Sequence, residues 1–234
     1  MNHLRRLWDT GIISHEGMTD EAEPHRKIKM ATTSIHIPGQ AQQPAWEVAL
    51  LLPAQGQWSD SDYLWLTDRT KRLVELTDGY IEVLPMPTEE HQRIVLFLYR
   101  ALYAFLTAHA RGLVLVAPLR LLLQTGRYRE PDLLLLLSPD DPRRSNAYWT
   151  GADLVVEVVS PDDPQRDLVQ KRQEYAAAGI PEYWIVNPAD EQIMVLRLEG
   201  GSYVEHHVAA RGSRATSALL EGFAVDVAAT LDAL

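Results

Sequence analysis

The sequence predicts an α/β or α+β domain built on a mixed β-sheet, and three observations carry that expectation. The run Leu154–Val159 is almost wholly apolar and β-branched, the composition of a strand covered on both faces. Asp78-Gly79, between Arg72–Thr77 and Tyr80–Leu84, is a two-residue hairpin signal. Behind Thr88, the residues Ile94, Leu98, Leu102 and Phe105 recur at helical spacing.

Residues 1–57 read as an N-terminal extension, with scattered charges, Pro38, Pro44 and Pro53, little periodicity, and a second plausible start at Met30. Residues 58–234 read as one domain. Ser59 or Ser61 caps a short helix through Leu66, the first hairpin follows, and Pro85 and Pro87 end it. The long helix from Thr88 should run to about Ala110. Leu113–Ala117, Arg120–Leu123 and Asp132–Leu137 are strand candidates, with Gly126 marking a turn. After Leu154–Val159, Ser160-Pro161-Asp162 breaks the strand. Asp167–Ala178 is then a helix stopped by Gly179 and Pro181, and Tyr183–Val186 a strand. Gln192–Leu198 and Tyr203–Val208 make a C-terminal β-hairpin around Gly200-Gly201.

Composition narrows the function. The chain has no cysteine, which removes disulfides, thiolate zinc sites and thiol nucleophiles. No apolar run approaches the roughly 18–20 residues that cross a bilayer, and the N-terminus lacks a signal-peptide core, so a cytoplasmic location without a membrane is expected. A formal charge of −10 argues against non-specific attraction to polyphosphate. It does not exclude a nucleic-acid partner, because bound metal ions and a local cluster such as Arg120, Arg127 and Arg129 can reverse the sign of one face.

Three polar residues stand where burial is expected. Asp132 follows Pro131 at the head of an apolar run, and Glu157 interrupts Leu154–Val159. An ionised carboxylate buried without a partner costs several kcal/mol. Neighbouring strands would bring the two acids together, where a cation or a shared proton must offset their repulsion; oxygen-only ligands favour Mg²⁺ or Mn²⁺ over zinc. The plainer readings are a turn cap for Asp132 and an arginine partner for Glu157. Lys171 shares a helix face with Asp167 and Tyr175. That is an ordinary surface pair, unless the Ser160-Pro161 break folds the helix back over Glu157. Glu75, alternating with Val74 and Leu76, and His91, in the first helical turn, are accessory candidates. Trp58, Trp65, Trp149 and Trp184 read as core or interface anchors.

The strings Val74 to Gly79, His91-Gln92, Pro131-Asp132-Leu133, Leu154 to Pro161, Asp167 to Lys171, Tyr175, Ala178-Gly179-Ile180 and Glu182 to Pro188 together resemble the Uma-two family of restriction-endonuclease-like proteins, from about Ser59 to Val227. The resemblance implies a PD-(D/E)XK nuclease core, a mixed central sheet flanked by helices, with Mg²⁺ or Mn²⁺ as cofactor and phosphodiester hydrolysis as activity. It also implies that Asp132, Glu157 and the backbone carbonyl of Val158 hold the metal. Lys171 would be the catalytic lysine, with Glu75, His91 and Tyr175 accessory. Two positions depart from the pattern: Val159 stands where the wider signature has lysine, so Lys171 must reach in from the next helix, and Tyr80 stands where relatives often carry an acid. The partners expected are nucleic acid, DNA first, and a second copy in a homodimer. The competing readings are a non-catalytic dimeric binding or regulatory protein with the same fold, and a hydrolase of small phosphoesters.

Overall fold

The computed structural model describes residues 49–109 and 112–233, all within one structural unit. Most of the N-terminal extension lies outside the described residues. Its last part leans on the first hairpin: the Gln55 amide donates to Ile81 O (2.8 Å) and accepts from Ile81 N–H (2.9 Å), and Gly56 N–H donates to Gly79 O at 2.7 Å.

Helix α1 (Asp60–Thr67) starts from a reciprocal cap, with Asp62 N–H donating to Ser59 Oγ and Ser59 N–H donating back to the Asp62 carboxylate. Strands β1 (Val74–Thr77) and β2 (Tyr80–Val83) pair across the Asp78-Gly79 turn. Gly79 has φ +84°, and a Cβ there would lie 2.6 Å from Gly56 O, so only glycine fits the turn. Helix α2 (Glu89–Ala108) is capped by Thr88 and buries Ile94, Val95, Leu98, Leu102 and Leu106 along one stripe.

Six more strands follow: β3 (Leu113–Val116), β4 (Leu121–Gln124), β5 (Arg127–Arg129), β6 (Leu133–Leu136), β7 (Leu154–Val158) and β8 (Glu182–Asn187). Between β7 and β8 runs the crossover, a π-helical turn at Arg166–Gln170 continuing into α3 (Lys171–Ala177). The terminal hairpin is β9 (Gln192–Glu199) and β10 (Ser202–Ala210), followed by a small pair, β11 (Arg214–Thr216) and β12 (Ala224–Asp226), and by α4 (Val227–Leu231).

Two sheets organise these elements. The larger has the order β10-β9-β8-β7-β6-β3, antiparallel except for the parallel β7–β8 pair that the crossover joins; the smaller has the order β2-β1-β5-β4. Alternate residues of the large sheet feed two apolar layers. Leu133, Leu135, Leu154, Val156 and Trp184 pack with α2, β11, β12 and α4, while Leu134, Leu136, Val155, Val159 and Ile185 pack with Tyr175 and Ala176 of α3. The smaller sheet buries Val74, Leu76 and Tyr128 against Trp58 and Tyr63.

The structure departs from the sequence reading in four places. Strand β5, just after the Gly126 turn, and β11, β12 and α4 match no element of the sequence reading. The crossover helix opens with a π turn rather than as regular α-helix. Trp58, Trp149 and Trp184 are buried, but Trp65 is half exposed and carries the Arg69 guanidinium over its ring at 4.6 Å.

Candidate active site

The β6–β7 register places the acids. Leu133 pairs with Val156 and Leu134 with Val155, so one step further sets Asp132 opposite Glu157. By strand alternation Asp132 shares a face with Leu134 and Leu136, and Glu157 with Val155 and Val159, the face that α3 covers. Beyond its pairing with β6, Val158 donates its N–H to Asp132 Oδ2 at 2.8 Å, and His91 Nε2 lies 3.1 Å from the same oxygen. The N–H and C=O of one extended residue point to one edge, so the Val158 carbonyl faces the Asp132 side too.

The crossover brings Lys171 back over this strand. Its Nζ lies 2.9 Å from Glu157 Oε1, 3.2 Å from Asp167 Oδ1 and 3.6 Å from Glu75 Oε1. Apart from this ammonium, Asp167 Oδ1 has no polar partner among the described residues. Tyr175, one helical turn beyond Lys171, donates its hydroxyl to Glu157 Oε1 at 2.6 Å. Glu75 is 2 % exposed, since Val74 and Leu76 face the small core under α1 and Glu75 faces the cluster. It is therefore not the solvent-facing residue that alternation alone would allow.

A second layer of charge supports the first. Arg129 of β5 forks onto Glu174 through Nε and Nη2 at 2.7 and 2.6 Å, donates to Thr77 Oγ1 at 2.8 Å, and lies 3.6 Å from Glu75 Oε2. The planar guanidinium suits that two-point grip on a carboxylate. Glu130 N–H donates to Glu75 Oε1 at 3.2 Å.

Arg120, Arg127 and Arg129 do not gather into an unpaired basic face. Arg129 is consumed internally, Arg120 pairs with Asp68 at 2.8 Å, and Arg127 pairs with Asp78. Arg127 also comes within 3.9 Å of Glu174, the acid that Arg129 holds.

Protonation follows from burial. Desolvation pushes the Glu157 carboxyl up to about 8 despite the opposing Lys171 charge, with Asp167, Asp132 and Glu75 adding to the rise. Burial also raises Asp167 against the pull of Lys171. For Lys171, burial works against the ammonium, but Glu157, Glu75 and Asp167 outweigh it and hold its pKa above the usual value. Glu75 resists burial through Lys171 and Arg129 and stays low. Burial, then the Glu75 charge, lifts Glu130 to about 7. For His91, burial is outweighed by Asp132 and the shift is upward. Lys171 thus stays charged, and Glu157 takes up a proton more readily than an ordinary glutamate does. The acids outnumber their cations.

Structure brings Asp132, Glu157, Lys171, Tyr175, Glu75 and His91 together. Sequence reasoning passed over Arg129, Glu174, Glu130 and Arg166 as site residues and saw Asp167 only as a helix-face neighbour. The one available signal was Glu130 directly before Pro131-Asp132, a second acid beside an apolar run. Two surface cavities lie apart from the cluster: one of about 440 Å³ between α3 and the β9–β10 hairpin, bordered by Leu168, Arg172 and Tyr203, and one of about 290 Å³ beside Tyr103, Leu113 and Pro139.

Among the described residues no three His, Asp or Glu side chains form a ready cluster of metal ligands. The donors nevertheless suit a hard cation. Nothing among the described residues donates to Asp132 Oδ1 or Glu157 Oε2, and Mg²⁺ commonly takes one or two carboxylates and keeps several waters.

Two acids thus stand opposite each other on neighbouring strands of a mixed sheet, with a lysine carried over them by the crossover helix. The chain belongs to the Uma2 family, described as "Putative restriction endonuclease", whose model matches residues 60–228. Its fold is similar to the crystal structure of "a putative nuclease belonging to DUF820" from Anabaena variabilis, with a TM-score of 0.59 and 17% identity over 74% of this chain and 99% of that one. At that identity the likeness speaks for the fold alone. No curated protein matches the chain. Among the described residues no helix is long and apolar enough to cross a membrane.

Proposed function

We propose that this protein is a metal-dependent endonuclease that hydrolyses phosphodiester bonds of nucleic acid, DNA first, with Mg²⁺ or Mn²⁺ as cofactor. The observation that supports this best is the placing of Asp132 opposite Glu157, with the Lys171 ammonium 2.9 Å from Glu157. Asp132, Glu157 and the Val158 carbonyl would hold the cation. A bound cation of this kind supplies Lewis-acid polarisation of a phosphoryl oxygen and a water of lowered pKa.

The remaining work falls to the chain. His91 and the Val158 N–H fix Asp132 through Oδ2, leaving Oδ1 to ligate. Tyr175 and Lys171 fix Glu157 through Oε1 in the same way. Glu157 must lose its proton to become a ligand, and the neighbouring ammonium favours that loss. Lys171 stays charged and lies where it can orient an attacking water or meet charge developing on a phosphoryl oxygen, inside a dry cluster where electrostatics act strongly.

Calorimetric titration with Mn²⁺ tests this reading. Heat of binding that disappears in Asp132→Asn and Glu157→Gln supports it, and no binding by the wild type rejects it. A second reading, a binding protein that keeps the fold without catalysis, draws on Lys171 lying within 3.6 Å of three carboxylates, an ion cluster closed without any metal. Absence of Mn²⁺ binding would favour it.

A further inference from the structure

The cations around the acid cluster are not equally committed. Lys171 sits among three buried carboxylates, and Arg129 holds Glu174 in a two-point fork. Arg166, in the π-helical turn that opens the crossover, differs. Its side chain is 8 % exposed, yet it has only a single-point pair, Nη1 to Glu82 Oε1 at 3.1 Å, and its buried Nε has no hydrogen-bond partner among the described residues. A guanidinium carries five N–H donors, and leaving them unmet in a buried setting is costly.

Glu82 sits on β2, an edge strand of the small sheet, and its side chain is 60 % exposed. Besides Glu82, the buried acids Asp167, Glu75 and Glu157 act on the charge of Arg166. Single-turn π segments are frequent at functional sites. A phosphate offers the planar fork more acceptors than one carboxylate oxygen does.

We propose that Arg166 grips a backbone phosphate of the nucleic acid, and that Glu82 holds its place until the strand displaces that carboxylate. The proposal rests on the nuclease reading above and deepens it by naming the residue that meets the polyanion. It also gives one way an acidic protein contacts a polyanion: Arg129 is neutralised inside the cluster, whereas the Arg166 pair, like those of Arg120 and Arg127, is made with a solvent-facing carboxylate and is exchangeable.

The test is fluorescence anisotropy of a labelled duplex oligonucleotide with the full chain, across a salt titration, with and without Ca²⁺. Arg166→Gln should weaken binding about tenfold or more and flatten the slope of log affinity against log salt by about one. Glu82→Gln should tighten binding several-fold, and that gain should vanish in the double variant, because removing a remote negative charge would act equally in both backgrounds. If Arg166→Gln does not fold, Glu82→Gln decides alone, and unchanged or weaker binding overturns the proposal. Equal binding by wild type and folded Arg166→Gln overturns it too, and leaves the nuclease reading intact if the wild type cleaves. A wild type that neither binds nor cleaves overturns both.

Discussion

Lys171 Nζ lies 2.9 Å from Glu157 Oε1, although the two residues stand on different elements and the chain reverses between them. The lysine compensates a carboxylate that has lost its water. Breaking a buried pair by removing one partner typically costs about 3–5 kcal/mol. Lys171→Met should lower stability by that order in urea denaturation at pH 8 and by less at pH 5, where the stranded acids can take up protons. An equal loss at both pH values would contradict the charge-compensation account.

Glu130, Glu157 and Asp167 are all raised, and in the metal-free protein the two glutamates define the pH windows while Asp167 acts in the same sense. An acid whose folded pKa exceeds its unfolded value of 4.5 binds its proton more tightly when folded. The stability it contributes is full below pH 4.5 and is lost as pH rises through the folded pKa. Glu130 acts in the window from 4.5 to about 7, and Glu157 from 4.5 to about 8. Each tends to lower stability by on the order of 1 kcal/mol per pH unit inside its window. Denaturation in EDTA should show this fall, flattened below pH 7 by Glu130→Gln and up to pH 8 by Glu157→Gln. A stability that rises between pH 5 and 8, unaltered by either variant, would refute the assignment.

The Arg129–Glu174 fork is a stability element. Glu174→Ala leaves a buried guanidinium facing Glu75 and should cost roughly 3–5 kcal/mol. A double variant, Arg129→Met with Glu174→Met, should cost clearly less than the two single changes together. Additive losses in chemical denaturation would argue against coupling.

His91 orients Asp132 without being the sole support, since Val158 N–H donates to the same oxygen. Outer partners of metal-ligating carboxylates commonly contribute about 10–100-fold in metal affinity or activity. His91→Ala should lower Mn²⁺ affinity within that range and leave the melting temperature near wild type. Complete loss of binding, or none, would place His91 in a different role.

How much of this was legible in the sequence depended on range. Glu157 betrays itself because a charge inside a β-branched run has no cheap explanation, and Lys171 becomes plausible once Ser160-Pro161 breaks the strand. The fold class and the Uma2 family followed from the same strings. Strand β5, Arg-Tyr-Arg, has no apolar alternation, and it forms because Tyr128 fills the small core while Arg129 finds Glu174 across 45 residues. No local pattern encodes such a pairing, which is also why three arginines close in sequence read as one basic face. The π turn at Arg166–Gln170 is invisible for a related reason: its five residues are ordinary helix formers, and only the packing of the crossover winds them wider.

The most direct test of the central claim is Mn²⁺-dependent cleavage of supercoiled duplex DNA by the wild type, compared with folded Asp132→Asn, Glu157→Gln and Lys171→Met proteins. The account predicts nicking by the wild type that EDTA abolishes and that falls by at least about 100-fold in each variant. Cleavage that survives in all three variants, or that is indifferent to EDTA, would contradict it.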